Sequence, residues 1–347
     1  MALAGGIGSG KTTELLLTGR ILSRHTDAVN FFMDLADFTD LNELNTGAIL
    51  AITGLGLYAQ LKEAGKEPSN EVASAHLKLG ELVLGKTDWV PADERLASPG
   101  EPDEIPVEVP GLIKLRFPAL RREVKEVKDL LETIAAPLLE NDAQITLLID
   151  GLDRLIKPER FREFAEQDLQ ALRGTKMTVI IVAPLLLLYD KSRFFQDSFD
   201  LVKHLPAAAA GPGDSAFLEQ ILERRGALEL MDRTEVAAIA EYSGGVLRDL
   251  LTLARSAAEY AYRDDQDRIA RRHVQAAVRQ LGNRYLVGLG STRMWLLRRL
   301  AKKDEFPIED STAKGLLVNR QVLEYFSRGR EHFAVHPALA KVLPKTA

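Results

Sequence analysis

The sequence contains no cysteine, and this absence excludes several classes of protein. Without thiols the chain has no disulfide framework, no thiolate metal site and no cysteine nucleophile. It also lacks any apolar run near the roughly 18–20 residues that cross a bilayer. The N-terminus does not show the basic and apolar regions of a signal peptide. We therefore expect a cytoplasmic protein that makes no membrane contact.

The bulk composition allows a folded chain of two or three domains. The sequence has 347 residues, of which 46% are hydrophobic, so a substantial core can be buried. The net charge is −5, yet residues 284–347 hold 12 Lys and Arg against 6 Asp and Glu. A basic C-terminal part on an acidic body indicates either nucleic-acid binding or an ordinary solvated surface.

The most informative stretch lies almost at the N-terminus. Residues 5–12 read Gly-Gly-Ile-Gly-Ser-Gly-Lys-Thr and match G-x-x-x-x-G-K-[ST], the phosphate-binding loop. Its glycines let several backbone N–H groups turn towards one anion. Lys11 would reach the β- and γ-phosphates, and the Thr12 hydroxyl would ligate Mg²⁺. The predicted nucleotide-binding residues are Gly5, Gly6, Ile7, Gly8, Ser9, Gly10, Lys11, Thr12 and Thr13.

A second anchor is the segment Gln144–Asp153, which reads QITLLIDGLD. Its apolar run into Asp150 is typical of a strand that is buried on both faces. A carboxylate at the exit of such a strand lies beside the phosphate loop in this architecture and can hold Mg²⁺. Asp153 could then polarise the attacking water. The competing interpretation is a strand that ends in an ordinary Asp-Gly turn.

Strands and helices alternate through the first 206 residues. Further strands are predicted at 28–35, 177–184 and 199–205, with a short first strand from the few residues before the glycines. Helices are predicted at 13–24, 41–65, 70–86, 119–139 and 158–172. The Pro-punctuated segment 67–118 is predicted as an irregular insertion. This alternation predicts an α/β fold with a doubly wound, mostly parallel sheet in residues 1–206.

The sequence pattern changes after Pro206, where the alternation of strands and helices ends and helical patterns follow. Four helical segments predict an α-helical lid domain at 207–289. Residues 290–347 then read as helix, helix and β-hairpin around Ser327–Arg330, which predicts a winged-helix-like module. The six histidines are scattered and show no metal-ligand spacing, so no histidine metal site is expected.

Together these motifs resemble the AAA+ and STAND-type P-loop ATPases, closest in pattern to the replication-initiator-like branch. The resemblance is carried by the phosphate loop, the strand ending Asp150-Gly151-Leu152-Asp153 and the segment Ser243–Leu251, which reads SGGVLRDLL. In that family the last segment carries a lid arginine, which is Arg248 here.

The resemblance implies roles for particular residues. Lys11 and Thr12 would hold phosphate and Mg²⁺, and Asp150 would be the Mg²⁺ carboxylate. Asp153 would stand in for the catalytic acid, since position 151 is glycine where many AAA+ proteins have glutamate. Arg248 would reach the γ-phosphate; the alternative is a surface arginine paired with Asp249 or Glu259.

A departure from the family pattern affects the expected activity. The strand at 177–184 ends in Val182-Ala183-Pro184, where many relatives have a polar residue that positions water, so hydrolysis is expected to be slow. Arg154, Arg173 and Arg193 are candidates for an arginine finger.

Three functions stay open at this point. The first is an ATP-driven switch that binds ATP and Mg²⁺ and acts on a partner protein or on copies of itself. The second is a DNA-binding initiator or loader ATPase that grips DNA through the C-terminal module. The third is a scaffold whose degenerate pocket does not hydrolyse nucleotide.

Overall fold

The computed structural model describes residues 1–25, 29–38, 41, 46–84, 124–140, 144–155, 158–190, 194–208, 215–302, 305–327 and 330–344. Most of the predicted insertion at 67–118 lies outside these ranges. The chain divides into two compact units. The first, the N-terminal unit, comprises Met1–Leu3, Thr12–Leu187 and Ser192–Val202. The second, the C-terminal unit, comprises Ala4–Lys11, Leu188–Lys191 and Lys203–Ala347.

A five-stranded sheet has the order β2-β3-β4-β1-β5. Its strands are β1 (Ala2–Gly5), β2 (Val29–Asp34), β3 (Ile145–Asp150), β4 (Met177–Ala183) and β5 (Val202–Leu205). The pairs β2–β3 and β3–β4 are parallel, and their order in the sheet differs from their order in the chain. The predicted α/β class with a mostly parallel sheet is confirmed.

The apolar runs explain why these segments are strands. All six residues of β3 are buried, as expected for a strand covered on both faces. The first strand has only four residues, and all four are buried. Its start is anchored by Ile181 N, which donates to Met1 O at 3.0 Å, and by Ala2 N, which donates to Leu201 O at 2.8 Å.

Helices follow the strands of the N-terminal unit. They are α1 (Lys11–His25), α2 (Leu35–Phe38), α3 (Ala48–Glu63), α4 (Asn70–Leu84), α5 (Val124–Ala135), α6 (Pro158–Phe164), α7 (Gln170–Arg173) and α8 (Phe194–Ser198). A π-helical stretch, Ala165–Leu169, joins α6 to α7. The helix predicted at 41–65 begins only at Ala48, because Gly47 has φ +92° and the buried Asp168 carboxylate accepts from Gly47 N and Ile49 N.

The C-terminal unit is mostly helical. Its helices are α9 (Ala216–Glu223), α10 (Ala227–Leu230), α11 (Arg233–Tyr242), α12 (Leu247–Arg263), α13 (Arg271–Leu286), α14 (Ser291–Ala301), α15 (Ser311–Val318) and α16 (Pro337–Val342). The short helices α10 and α16 were not predicted. Each has at most six residues, too few for a helical period to be visible in the sequence.

The predicted order of helix, helix and hairpin is present near the C-terminus. Asp310 begins α15, and its carboxylate accepts from Thr312 N at 2.7 Å and from Ala313 N at 3.0 Å. The hairpin consists of β6 (Val322–Ser327) and β7 (Arg330–Val335), paired antiparallel from Val322↔Val335 to Ser327↔Arg330. The domain boundaries after residues 206 and 289 remain predictions.

None of the helices in the described ranges combines the length and apolar character that crossing a bilayer requires.

Candidate functional site

The phosphate loop lies between β1 and α1 and closes on itself. Gly8 and Gly10 have φ of +84° and +99°, a region that side chains rarely adopt. The Lys11 side chain is buried, and its Nζ donates to Gly5 O at 3.1 Å and to Gly6 O at 2.8 Å. The Ser9 hydroxyl is buried without a hydrogen-bond partner. The loop thus gathers an ammonium and an unused hydroxyl, which are donors that suit a phosphate group.

In the N-terminal unit, the start of α1 meets the end of β3. The Thr12 hydroxyl donates to Asp150 Oδ2 at 2.5 Å, although 138 positions separate the two residues. Asp150 is 2% exposed, and its Oδ1 accepts from Gly151 N at 2.7 Å. A threonine hydroxyl and a buried carboxylate in contact form an oxygen pair of the kind that hard divalent cations prefer.

The turn after Asp150 explains why glycine occupies position 151. Gly151 has φ +95°, and a Cβ built there would lie 2.5 Å from Asp34 Oδ1. A glutamate at this position would therefore be strained and would collide with a neighbouring carboxylate. Asp153 follows on the 3₁₀ turn Leu152–Arg154 and is half-buried. It is the next acidic side chain after Asp150 along the chain.

Asp34 was missed by the sequence reasoning. Asp34 ends β2, and the parallel register of β2 and β3 pairs it with Asp150. Its Oδ2 pairs with Arg154 Nη2 at 3.0 Å, and its Oδ1 accepts from Ala36 N at 3.1 Å. A carboxylate at the end of a predicted parallel strand was the available signal, but strand order could not be read from the sequence.

In the C-terminal unit, the start of α12 packs directly against the phosphate loop. Leu247 N donates to Gly8 O at 3.0 Å. A Cβ on Gly8 would lie 2.7 Å from Val246 Cγ1 and 3.3 Å from the Cβ of Arg248. Arg248 is exposed in the first turn of α12. The segment predicted as a lid therefore touches the loop through its backbone, and Arg248 projects from that contact.

The Ser-Gly-Gly turn before α12 requires both glycines. Gly244 and Gly245 have φ of +63° and +81°. A Cβ at Gly245 would lie 1.8 Å from Ala208 O, so no side chain fits there. Ser243 fixes the turn: its hydroxyl donates to Ala240 O at 2.7 Å and accepts from Gly245 N at 3.2 Å. This turn sets the direction in which α12 approaches the loop.

The carboxylates proposed as alternative partners of Arg248 are engaged elsewhere. Asp249 is 2% exposed and pairs with Arg320 Nη1 at 2.9 Å, and Glu259 pairs with Arg255 at 2.8 Å. The Asp249 carboxylate also accepts from the Tyr285 hydroxyl at 2.5 Å. Because both acids have other partners, Arg248 is available to a ligand.

Two of the three arginine-finger candidates have partners within the N-terminal unit. Arg154 pairs with Asp34, as described above. Arg173 donates to Ser198 O and lies 3.6 Å from Asp200. Arg193 lies outside the described residues. Their role as arginine fingers remains a prediction.

Comparison with solved structures identifies the fold. One similar structure is that of the Aeropyrum pernix ORC2 protein, solved as ADPNP–ADP complexes. The alignment covers 99% of this chain and 85% of the ORC2 chain, with a TM-score of 0.51 and 15% sequence identity. The alignment with the A. pernix ORC1 protein in complex with DNA covers 99% of this chain and 85% of the ORC1 chain, with a TM-score of 0.45 and 17% sequence identity. The Thermotoga maritima RuvB branch migration motor covers 100% and 88%, with a TM-score of 0.43 and 14% identity.

Only the first of these scores exceeds 0.5, and the assignment of fold rests on it. The chain has the AAA+-type P-loop fold of replication-initiator-like ATPases, so the resemblance seen in the sequence is confirmed at the level of the fold. By sequence, no protein-family model and no curated protein matches the chain.

Proposed function

We propose that this chain, which has the AAA+-type fold, binds ATP with Mg²⁺ and hydrolyses it slowly as a nucleotide-driven switch. The observation that carries the proposal is the contact between the Thr12 hydroxyl and the Asp150 carboxylate at 2.5 Å. Two segments far apart in sequence meet at the residues that a P-loop ATPase would use to hold its metal ion.

The phosphate loop would bind the triphosphate. Lys11 would exchange its two loop carbonyls for β- and γ-phosphate oxygens, a stronger pairing because both partners are charged. The Ser9 hydroxyl, buried without a partner, would gain one. Thr12 and Asp150 would hold Mg²⁺, which neutralises charge that develops on the phosphates.

Hydrolysis would need a water aligned with the γ-phosphate. Asp153 is the proposed acid that orients this water, because strain and Asp34 exclude a glutamate from position 151. Arg248 would stabilise the charge of the γ-phosphate from the lid. The end of β4 is apolar through Val182-Ala183-Pro184, so no side chain there would help to position the water. A slow turnover follows.

The first experiment measures ATP binding by calorimetry with Mg²⁺. Lys11→Ala should weaken ATP binding at least tenfold, because one ammonium contributes more than about 1.4 kcal/mol to a charged phosphate contact. Lys176→Ala, which removes an exposed lysine before β4, is the control and should bind ATP normally. Equal ATP affinity in Lys11→Ala and the parent would contradict the proposal.

The second experiment separates the metal from the phosphate. Thr12→Ala and Asp150→Asn should lose the part of ATP affinity that depends on Mg²⁺, and Thr12→Ser should keep it because the hydroxyl remains. An Asp150→Asn variant whose ATP affinity responds to Mg²⁺ as the parent does would remove the metal role.

The third experiment tests the lid arginine. Arg248→Ala should reduce the preference for ATP over ADP and leave ADP affinity unchanged, since only ATP offers a γ-phosphate. Arg255→Ala on the same helix is a matched control because its side chain is exposed and pairs with Glu259. A preserved ATP preference in Arg248→Ala would leave this residue as a surface arginine.

A second function, DNA binding through the C-terminal part, is supported by the helix, helix and hairpin order, which suits a winged helix. Arg330 is exposed at the start of β7, and Arg299 is exposed on α14 next to the half-exposed Trp295. If these residues grip DNA, Arg330→Glu and Arg299→Glu should weaken binding and lower its salt dependence. A salt-independent affinity, or none, would leave a partner protein or a second copy of the chain as the target.

A further inference from the structure

The C-terminal unit contains a compact cluster of one histidine and two glutamates that is not part of the proposed nucleotide site. Glu324 and Glu331 lie on β6 and β7, and His204 lies on β5. The hairpin register pairs Glu324 with Phe333 and Phe326 with Glu331. Side chains of paired residues share a face, so both glutamates project from the same face of the hairpin.

The three side chains converge on one point. One ligand atom from each of His204, Glu324 and Glu331 lies within 4.8 Å of the others. His204 Nε2 and Glu324 Oε1 are 2.6 Å apart, yet both atoms are buried and neither has a hydrogen bond of acceptable geometry. The two atoms therefore face each other at an ion-pair distance, and a zinc ion bound between them would move them apart to about 3.4 Å.

The cluster contains more carboxyl groups than basic side chains. Two carboxylates face one imidazole, and Glu324 is only 4% exposed. A buried carboxylate requires a cation or several donors to be stable. The Tyr189 hydroxyl donates to Glu331 Oε1 at 2.7 Å and orients that carboxylate, as outer-shell partners of metal ligands do. The Tyr189 ring lies 6.0 Å from that of Phe333, which gives the cluster an apolar side.

We propose that His204, Glu324 and Glu331 form a binding site for a divalent transition-metal ion, with Zn²⁺ as the best fit. One imidazole and two carboxylates with a fourth position open to water are a ligand set that zinc accepts. Two ligands of one tetrahedral zinc ion lie about 3.4 Å apart, given bonds of about 2.1 Å. Glu331 is exposed on β7, so its carboxylate can make the small shift that closes the site.

The bound ion would fasten the hairpin to β5. In the structure, a backbone hydrogen bond already joins the hairpin to the residues after β5, since Ala207 N donates to Glu324 O at 3.2 Å. At its other side, β5 reaches the phosphate loop: a Cβ on Gly5 would lie 2.3 Å from Leu205 O, one residue after His204. The metal would therefore stabilise the contact of the hairpin with the strand next to the loop.

The test uses the full chain, freed of metal by a chelator and kept without nucleotide. Calorimetry should detect one Zn²⁺ per chain, and thermal unfolding should shift upward with Zn²⁺ but not with Mg²⁺, because magnesium disfavours imidazole. His204→Ala and Glu324→Gln should each weaken zinc binding at least tenfold. Glutamine keeps the shape of glutamate, so Glu324→Gln should still fold.

A matched control is His332→Ala. His332 is exposed on the opposite face of the same hairpin, where it stacks with Tyr325 at 5.3 Å, so its loss should leave zinc binding intact. Asp150→Asn should also bind zinc normally, which separates this site from the nucleotide site. Zinc binding that survives in both His204→Ala and Glu324→Gln, or a parent chain that binds no zinc, would overturn the proposal.

Discussion

Each of the two units buries an aspartate, and the two carboxylates are stabilised by different partners. Asp168 in the N-terminal unit is fully buried and accepts from Gly47 N at 2.6 Å and Ile49 N at 3.0 Å at the start of α3. Burial raises its pKa from 3.8 to about 7, and the backbone donors only partly offset this increase.

Asp249 in the C-terminal unit has charged and polar side chains around it. Burial by itself would raise its pKa, but the His336 hydrogen bond, the Arg320 charge and the Tyr285 hydroxyl outweigh burial and lower the pKa below 3.8. His336 Nδ1 accepts from Ala338 N at 3.2 Å, so the ring proton shared with Asp249 is on Nε2. The comparison teaches that helix-terminal N–H groups alone do not keep a buried carboxylate ionised, whereas a cation and side-chain donors do.

The Asp249 cluster also joins two predicted domains. Asp249 follows Arg248 on α12, Tyr285 ends α13, and Arg320 and His336 flank the hairpin. Asp249 was part of the sequence motif, but only the structure reveals its partners.

The largest effect should come from Asp249→Ala. The change leaves Arg320 and His336 without their buried partner, and we expect the free energy of unfolding of the C-terminal unit to fall by about 3–5 kcal/mol. Urea unfolding followed by circular dichroism measures this. A loss below about 1 kcal/mol would mean that the cluster is a solvated surface pair in solution.

Asp168→Ala should lower the free energy of unfolding by a smaller amount than Asp249→Ala. It exposes no charge but leaves the N–H groups of Gly47 and Ile49 unpaired, which costs about 1–3 kcal/mol. Asp168→Asn is the matched variant, since its amide oxygen can still accept one of these bonds. Equal stability of the alanine variant and the parent would show that α3 begins without this cap.

The pH dependence should differ in sign between the two aspartates. The folded-state pKa of Asp168 is raised, so its stabilising contribution is complete below pH 3.8 and is lost as pH rises towards about 7. The slope is at most about 1.4 kcal/mol per pH unit. The pKa of Asp249 is lowered, so its contribution is present above 3.8 and is lost as pH falls below that value. Unfolding curves of Asp168→Asn and Asp249→Asn at several pH values check both signs.

The smallest effect is expected at the surface. Arg255 and Glu259 form an exposed i, i+4 pair on α12 at 2.8 Å, which should contribute about 0.3–0.5 kcal/mol. Glu259→Gln should therefore leave the free energy of unfolding nearly unchanged, and the small difference from the parent should decrease further at high salt. A loss as large as that of Asp249→Ala would contradict the distinction between buried and exposed carboxylates.

Local sequence patterns determined much of this molecule. The glycine spacing before Lys11 specified a loop, the apolar run before Asp150 specified a buried strand, and helical periods located most of the long helices, because each signal depends on residues a few positions apart. These signals also led to the AAA+-type fold, which the match to ORC2 confirms.

Only the tertiary structure decided which distant side chains meet. The contact of Thr12 with Asp150, the exclusion of glutamate from position 151 by Asp34, and the convergence of His204 with Glu324 and Glu331 all depend on strand order and hairpin register. The sequence reasoning expected no histidine metal site because it looked for ligands at regular spacing. Ligands that come from separate elements have no spacing in the chain, since folding alone brings them together.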